Sequence, residues 1–264
     1  MDSVSKIMFD DGKEVDLMMF QEYQRPKADM IDSDPLFLSV YLNTVPFTMS
    51  SSERMFALYN AVKFITATNV PGDIVECGVW SGGSCMIAAL TLKHLNRMEK
   101  DIYLYDTFSG MSKPTEKDKP IGVGKQLITK TSVEIWEEKQ KDDAINMWCF
   151  ASLEEVQQNL LSTGYPDEKL IFVKGKVEDT IPNTIPSCIS ILRIDTDWYE
   201  STYHSLTHLY PLLSVGGVII FDDYSFWEGS KEAVDQYFSE QGIKLLLHRI
   251  DNSGYIAIKT HQNN

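Results

Sequence analysis

The sequence predicts a doubly wound α/β fold: a mostly parallel sheet flanked by helices, closed by an antiparallel C-terminal hairpin. Three observations predict it. The first is PGDIVECGVWSGGSCMIAA at residues 71–89, a short apolar strand that passes through glycines into a helix. The second is a series of short β-branched segments, DIYLY, KLIFVKG, ISILRI and GVIIF, most of them followed by helical spacing. The third is the end of the chain, where two apolar runs flank DNSG, a hairpin turn signal.

Taken in order, residues 1–50 read as an N-terminal extension carrying lid elements. There KIMFDDGKEVDLMMF fits a small hairpin or a loose leader, and Asp34 to Leu42 a short helix opened by Pro35. Residues 51–264 read as the main domain. Ser51 to Thr68 is amphipathic, with Met55, Leu58, Val62 and Ile65 on one face. Ser50 to Ser52 supply N-cap candidates ahead of Glu53. Asp73 to Cys77 is the first strand of the sheet, and Ser84 to Leu95 the helix after its glycine turn. Asp101 to Tyr105 is the second strand. Residues of about 109–150 form a charged, lid-like insertion. Structureless loops of that length are usually functional lids or disordered, and Trp136 and Trp148 argue that this one packs. Ser152 caps a further helix. Lys169 to Gly175, Ile189 to Ile194 and Gly217 to Phe221 are the next strands, with helices to Leu213 and over about Ser230 to Glu240. Lys244 to Ile250 and Tyr255 to Lys259 form the closing hairpin.

Composition narrows the function. The 264 residues suit one large domain or one domain with an extension, and 43% of them are hydrophobic, enough for a sizeable core. A net charge of −14 with no basic stripe argues against nucleic acid. Cys77, Cys85, Cys149 and Cys188 form no C-x-x-C pair, so neither a zinc cluster nor a disulfide framework is indicated. Cys77 and Cys85 fall in the expected core as small hydrophobes. MDSVSKIMFDDGKEVD lacks a signal-peptide core, and no run of about 18 apolar residues predicts a membrane span. A reduced, cytoplasmic enzyme is the expectation.

The glycine turn predicts a nucleoside cofactor. Gly78 and the Gly82–Gly83 pair let the backbone bend and approach a ligand, and Ser84 opens the helix. The dinucleotide fingerprint G-x-G-x-x-G would need glycine where Trp80 stands. Glu76 puts an acid at the strand's end, which repels phosphate and attracts a cation. S-adenosylmethionine has an ammonium, a sulfonium and no phosphate, and E-x-G-x-W-x-G-G suits it better. The plainer alternative is a strand–helix turn with packing glycines. Asp106, at the end of the next strand, can accept hydrogen bonds from both ribose hydroxyls or simply cap a turn.

Asp195, Asp197, Asp222 and Asp223 end two strands that such a sheet places side by side. Neighbouring strands lie about 4.8 Å apart, so these carboxylates can converge, and they repel unless a cation joins them. An all-oxygen set selects a hard ion, Mg²⁺ first, with Mn²⁺ or Ca²⁺ as options. Helix capping is the alternative for two of the four. His204 and His208 lie one helical turn apart with no acid between them, and read as partly buried helix residues. His248 falls in a late strand and reads as packed.

ECGVWSGGS, YDTFSGM, VKGKVEDTIP, LRIDTDWYEST, LYPLLSVGGVIIFDDY and LLHRID, in this order and spacing, resemble the macrocin O-methyltransferase family over about residues 45–260. The resemblance implies a class I methyltransferase fold, often dimeric, that methylates sugar hydroxyls of antibiotics with S-adenosylmethionine and Mg²⁺. It implies cofactor contacts from Thr48 and Met49, from Glu76, Cys77, Gly78, Val79 and Trp80, and from Asp106, Thr107, Phe108, Ser109 and Gly110. Val177 and Glu178 fall where the adenine is held. The metal ligands map onto Asp195, Asp222 and Asp223, with Asp197 as the base. Ser81 departs from the Arg or Lys that many members carry. The expected reaction is direct methyl transfer to a sugar or glycoside hydroxyl. The alternatives are a catechol-type O-methyltransferase and a non-catalytic S-adenosylmethionine-binding protein.

Overall fold

The computed structural model describes residues 6–8, 14–16 and 34–261. The chain divides into two compact units, residues 1–39 and 40–264. In the first, β1 (Lys6–Met8) and β2 (Glu14–Asp16) pair antiparallel with Ile7 opposite Val15, which fits the hairpin, one of the two readings of this stretch. Helix α1 (Pro35–Thr44) starts where expected. The Asp34 carboxylate accepts the backbone N–H groups of Leu36 and Phe37 at 3.0 and 3.1 Å, and Pro35 stands at the first helical position, where no N–H is needed.

The second unit holds the sheet. Helix α2 (Ser52–Ala67) buries Met55, Leu58, Val62 and Ile65, the stripe its spacing predicts, and Ser51 caps it by accepting the Arg54 N–H. Then follow β3 (Asp73–Cys77), α3 (Gly83–His94) and β4 (Ile102–Asp106). The insertion carries α4 (Gly124–Leu127) and α5 (Ser132–Lys139). After it come α6 (Leu153–Ser162), β5 (Leu170–Lys174), α7 (Val177–Thr180), β6 (Ile189–Ile194), α8 (Tyr199–Leu209), β7 (Leu213–Phe221), α9 (Glu228–Glu240), β8 (His248–Arg249) and β9 (Tyr255–Ile258).

The sheet order is β5-β4-β3-β6-β7-β9-β8. β3 pairs parallel with both β4 and β6, β7 continues parallel, and β9 and β8 are antiparallel. From β3 the chain winds outward through β4 and β5, then returns to place β6 on the other side of β3. This reversal is the switch point at whose carboxyl side α/β folds bind ligands. Val75, Leu192, Ile219 and Phe221 are fully buried in one cluster with Leu206 of α8 and Val234 of α9, so the central strands read as near-continuous apolar runs.

Several element bounds differ from expectation, among them β7, which begins at Leu213 instead of Gly217. β8 covers only His248–Arg249 instead of Lys244 to Ile250, because among the described residues only these two pair with β9. The insertion is not structureless: Thr131 and Glu134 form a capping box on α5, and Trp136 Nε1 donates to the Met111 carbonyl at 2.8 Å. Among the described residues no helix is long and apolar enough to cross a membrane.

Candidate active site

At the switch point the strand ends are locked in register. Gly78 N–H donates to the Tyr105 carbonyl at 2.8 Å, Asp195 N–H to Cys77 at 2.8 Å, and Asp222 N–H to Ile194 at 3.0 Å. Gly78 has φ +84°, and a Cβ on it would collide with the Asp195 carbonyl, so only glycine lets the first loop press against the D-T-D segment. Gly83 likewise leaves room for the Phe47 carbonyl and the Thr48 side chain.

Register then decides which side chains meet. Glu76 stands opposite Arg193 across the β3–β6 pair. Asp195 lies two residues beyond Arg193 and shares its face, and Asp222 lies two beyond Ile220, the β7 partner of Arg193. Arg193 is 3% exposed and reaches three carboxylates: Glu76 and Asp222 by short ion pairs, and Asp195 at 2.7 Å. It also donates to Ser50 Oγ at 3.0 Å. Burial disfavours its charge, but Asp195, Asp222 and Glu76 raise its pKa well above the ordinary value. A buried guanidinium is tolerable only with such partners. Arg54 donates to Asp222 and, at 2.8 Å, to Asp251 in the closing hairpin turn. Asp222 therefore accepts two guanidiniums.

The cation that Glu76 attracts is thus Arg193 of the same chain. Glu76 also accepts from the Ser84 hydroxyl and from Cys85 Sγ at 2.9 Å. Asp106 organises the glycine loop: one oxygen accepts the N–H groups of Val79 and Trp80 at 2.7 and 3.1 Å, the other that of Phe108 at 2.7 Å. Burial pushes its pKa up, and these donors oppose that rise.

A cavity of about 310 Å³ opens over these strand ends. From the expected cofactor set, Thr48, Met49, Gly78, Val79, Trp80, Gly83, Ser84, Asp106 and Gly110 line it, and all four aspartates of the acid set do so too. A side cavity of about 70 Å³ shares Gly78, Asp106 and Gly110 and adds Thr107, Val177 and Glu178. Glu76, Cys77, Gly82, Phe108 and Ser109 line neither. Cys77 is core, its thiol pushed up to about 12 by burial. Gly82 caps α3 at φ +91°. Phe108 packs on Phe172 with ring centres 6.5 Å apart, and the Ser109 carbonyl accepts the Asn146 N–H at 2.9 Å. His248 is exposed, and the His204 ring contacts the Ile181 carbonyl at 3.0 Å, so neither histidine enters the site.

Asp195, Asp197 and Asp223 each bring one oxygen within 4.8 Å of the others. The expected triad of Asp195, Asp222 and Asp223 differs from this group because the arginines draw Asp222 aside. Asp197 has φ +63°, a left-handed backbone that aspartate tolerates and that turns its carboxylate toward its neighbours. Its Oδ1 accepts from Trp227 Nε1 at 2.8 Å. Burial, and then the charge of Asp195, pushes its pKa well up; Asp223 is raised by burial and by Asp197 and Asp195. Asp223 Oδ2 is buried with no hydrogen-bond partner among the described residues. An orphaned oxygen among mutually repelling carboxylates fits a hard divalent cation. Neither aspartate pair caps the next helix. The carboxylate accepting the Tyr199 N–H at the start of α8, at 2.8 Å, is Asp118 from the insertion, and α9 has no side-chain cap.

Sequence reasoning missed Arg54, Arg193, Trp198 and Trp227, and read Trp148 only as a packing residue of the insertion. Arg193 left a signal, since a charge inside a fully buried strand demands partners. Trp148, Trp198 and Trp227 pack edge to face with centres 5.0 to 6.1 Å apart, and Trp148 and Trp227 wall the cavity.

Residues 39–258 match the family described as Macrocin-O-methyltransferase (TylF). The chain is 34% identical over 211 residues to mycinamicin III 3''-O-methyltransferase of Micromonospora griseorubida, covering 80% of this chain and 78% of that one. It is 30% identical over 223 residues to 8-demethyl-8-(2,3-dimethoxy-alpha-L-rhamnosyl)-tetracenomycin-C 4'-O-methyltransferase of Streptomyces olivaceus, covering 84% and 79%. Its structure is similar to that of the O-methyltransferase NovP, with a TM-score of 0.69 and 32% identity over 81% of this chain and 83% of that one.

Proposed function

The chain belongs to the macrocin O-methyltransferase family, and from that premise we propose that it moves a methyl group from S-adenosylmethionine to a sugar hydroxyl of a glycosylated small molecule, with a divalent cation bound. The observation that carries the reading is the meeting of Asp195, Asp197 and Asp223 in the cavity lined by the glycine loop. Relatives named for a rhamnosyl and for a mycinamicin acceptor support a glycoside.

Thr48, Met49, the 78–84 loop and Asp106 would hold the cofactor, with Val177 and Glu178 at its adenine end. Asp195 and Asp223 would hold the cation, joined by Asp222 through lone pairs its guanidinium bonds leave free. When bound, these groups supply an electrophilic methyl and positive charge beside the acceptor oxygen. Asp197 receives the proton that the hydroxyl loses. Its carboxylate lines the cavity beside the cation ligands, within reach of a hydroxyl held there. Arg193 and Arg54 pair with the neighbouring acids and fix their positions. The tryptophan wall and the insertion exclude water, which favours charges that vanish together.

A cytoplasmic homodimer is part of the same proposal, and sedimentation of the purified protein tests the dimer. Function is tested by offering labelled methyl donor with glycosides, nucleotide sugars and catechols. Label on a glycoside hydroxyl is expected; exclusive labelling of catechols would replace the acceptor class, and no labelling with intact cofactor binding would leave a binding protein.

A further inference from the structure

Asp197 sits in a backbone conformation that costs energy unless its surroundings hold it. The only side-chain hydrogen bond to its carboxylate among the described residues comes from Trp227, whose indole donates and cannot accept. Trp227 is 2% exposed and cannot swing away. Trp198 and Trp148 meet it edge to face at 5.0 and 6.1 Å, and Phe226 at 5.2 Å.

Its backbone is held as firmly. Pro120 of the insertion bridges to Trp227, Ile121 N–H donates to the Phe226 carbonyl at 2.8 Å, and Glu228 N–H to the Lys119 carbonyl at 2.8 Å. The Trp198 indole donates to the Ser112 carbonyl at 2.9 Å. The insertion, the tryptophan wall and Asp197 are one continuous set of contacts.

We propose that Trp227 is the positioning residue for Asp197: its indole N–H takes Oδ1, so that Oδ2 alone faces the acceptor, and the docked insertion keeps the indole in place. This rests on Asp197 being the base. A carboxylate free to rotate presents a misaligned acceptor for part of the time, and misplacement on the scale of an ångström can cost about 100-fold in rate.

A double-mutant cycle tests it, with Mg²⁺ affinity and melting temperature measured on each protein. Trp227→Phe, which keeps a ring and loses the N–H, is expected to lower kcat by roughly 10- to 100-fold, with KM and Mg²⁺ affinity within about two-fold. In the Asp197→Asn background the same change should cost less than about two-fold, because a residue acting through Asp197 has nothing left to position. Equal losses in both backgrounds would overturn the proposal and make Trp227 a packing residue. A fall in Mg²⁺ affinity matching that of Asp195→Asn would also overturn it, since Trp227 would then orient a ligand. Full activity of Asp197→Asn alone would refute the base, a separate failure. If Trp227→Phe melts early, benzothienylalanine at position 227 replaces the N–H with sulfur in the same bicyclic shape, and must reproduce the loss.

Discussion

Asp195 and Asp197 are two residues apart, yet different groups hold them. Asp195 is bonded to Arg193 at 2.7 Å with its side chain 26% exposed, whereas Asp197 is turned by a left-handed backbone onto the Trp227 indole. Asp195→Asn should therefore lose Mg²⁺ affinity and turnover together. Asp197→Asn should keep both Mg²⁺ and cofactor affinity while kcat falls by roughly 10²–10⁴-fold, the usual worth of a positioned base. Calorimetry and steady-state rates on the two variants check this; an Asp197→Asn protein that no longer binds Mg²⁺ would make Asp197 a ligand. Asp106 carries a different load, since it holds the Val79 and Trp80 N–H groups from 26 to 27 residues away. Asp106→Ala strands those donors and should weaken binding of S-adenosylhomocysteine by roughly 1–3 kcal/mol. Unchanged affinity by calorimetry would remove Asp106 from the cofactor site.

Among the elements, the insertion depends most on a few contacts. Asp118 is fully buried and accepts the Thr115 N–H at 2.7 Å, the Thr115 hydroxyl at 2.9 Å and the Tyr199 N–H at 2.8 Å. Asp118→Ala leaves these donors unpaired at a cost of about 1–3 kcal/mol, and that cost falls on the docking of residues 113–145 rather than on the sheet. Limited proteolysis should then cut within the insertion while 151–258 stays resistant, and KM for the acceptor should rise. A digestion pattern identical to that of the parent protein would show that the aromatic contacts dock the insertion without Asp118. The helices of this segment also show what local pattern conceals. α4 has four residues and α5 eight, too few turns for an apolar period to stand out. β3 and β6 were legible as short apolar runs and α2 by its buried stripe, since burial on that scale marks the sequence directly.

For the whole molecule, the sheet makes the site. Strand order and register bring the acids of β6 and β7 beside the glycine loop of β3, and that much follows from where the acids stand in the sequence. The pairs that finish the site do not follow, because Arg54 meets Asp222 across 168 residues and Trp227 meets Asp197 across 30. Such contacts leave no trace in local spacing. They also divide the four aspartates, two arginines drawing Asp222 aside and one indole claiming Asp197, which spacing alone treats as equivalent. These acids are expected to serve a cation-assisted methyl transfer. Turnover of labelled methyl donor on a glycoside acceptor, measured in metal-stripped protein and again after Mg²⁺ is restored, tests it most directly. Product should be lost on stripping and recovered with Mg²⁺. Full turnover by metal-free protein would contradict it.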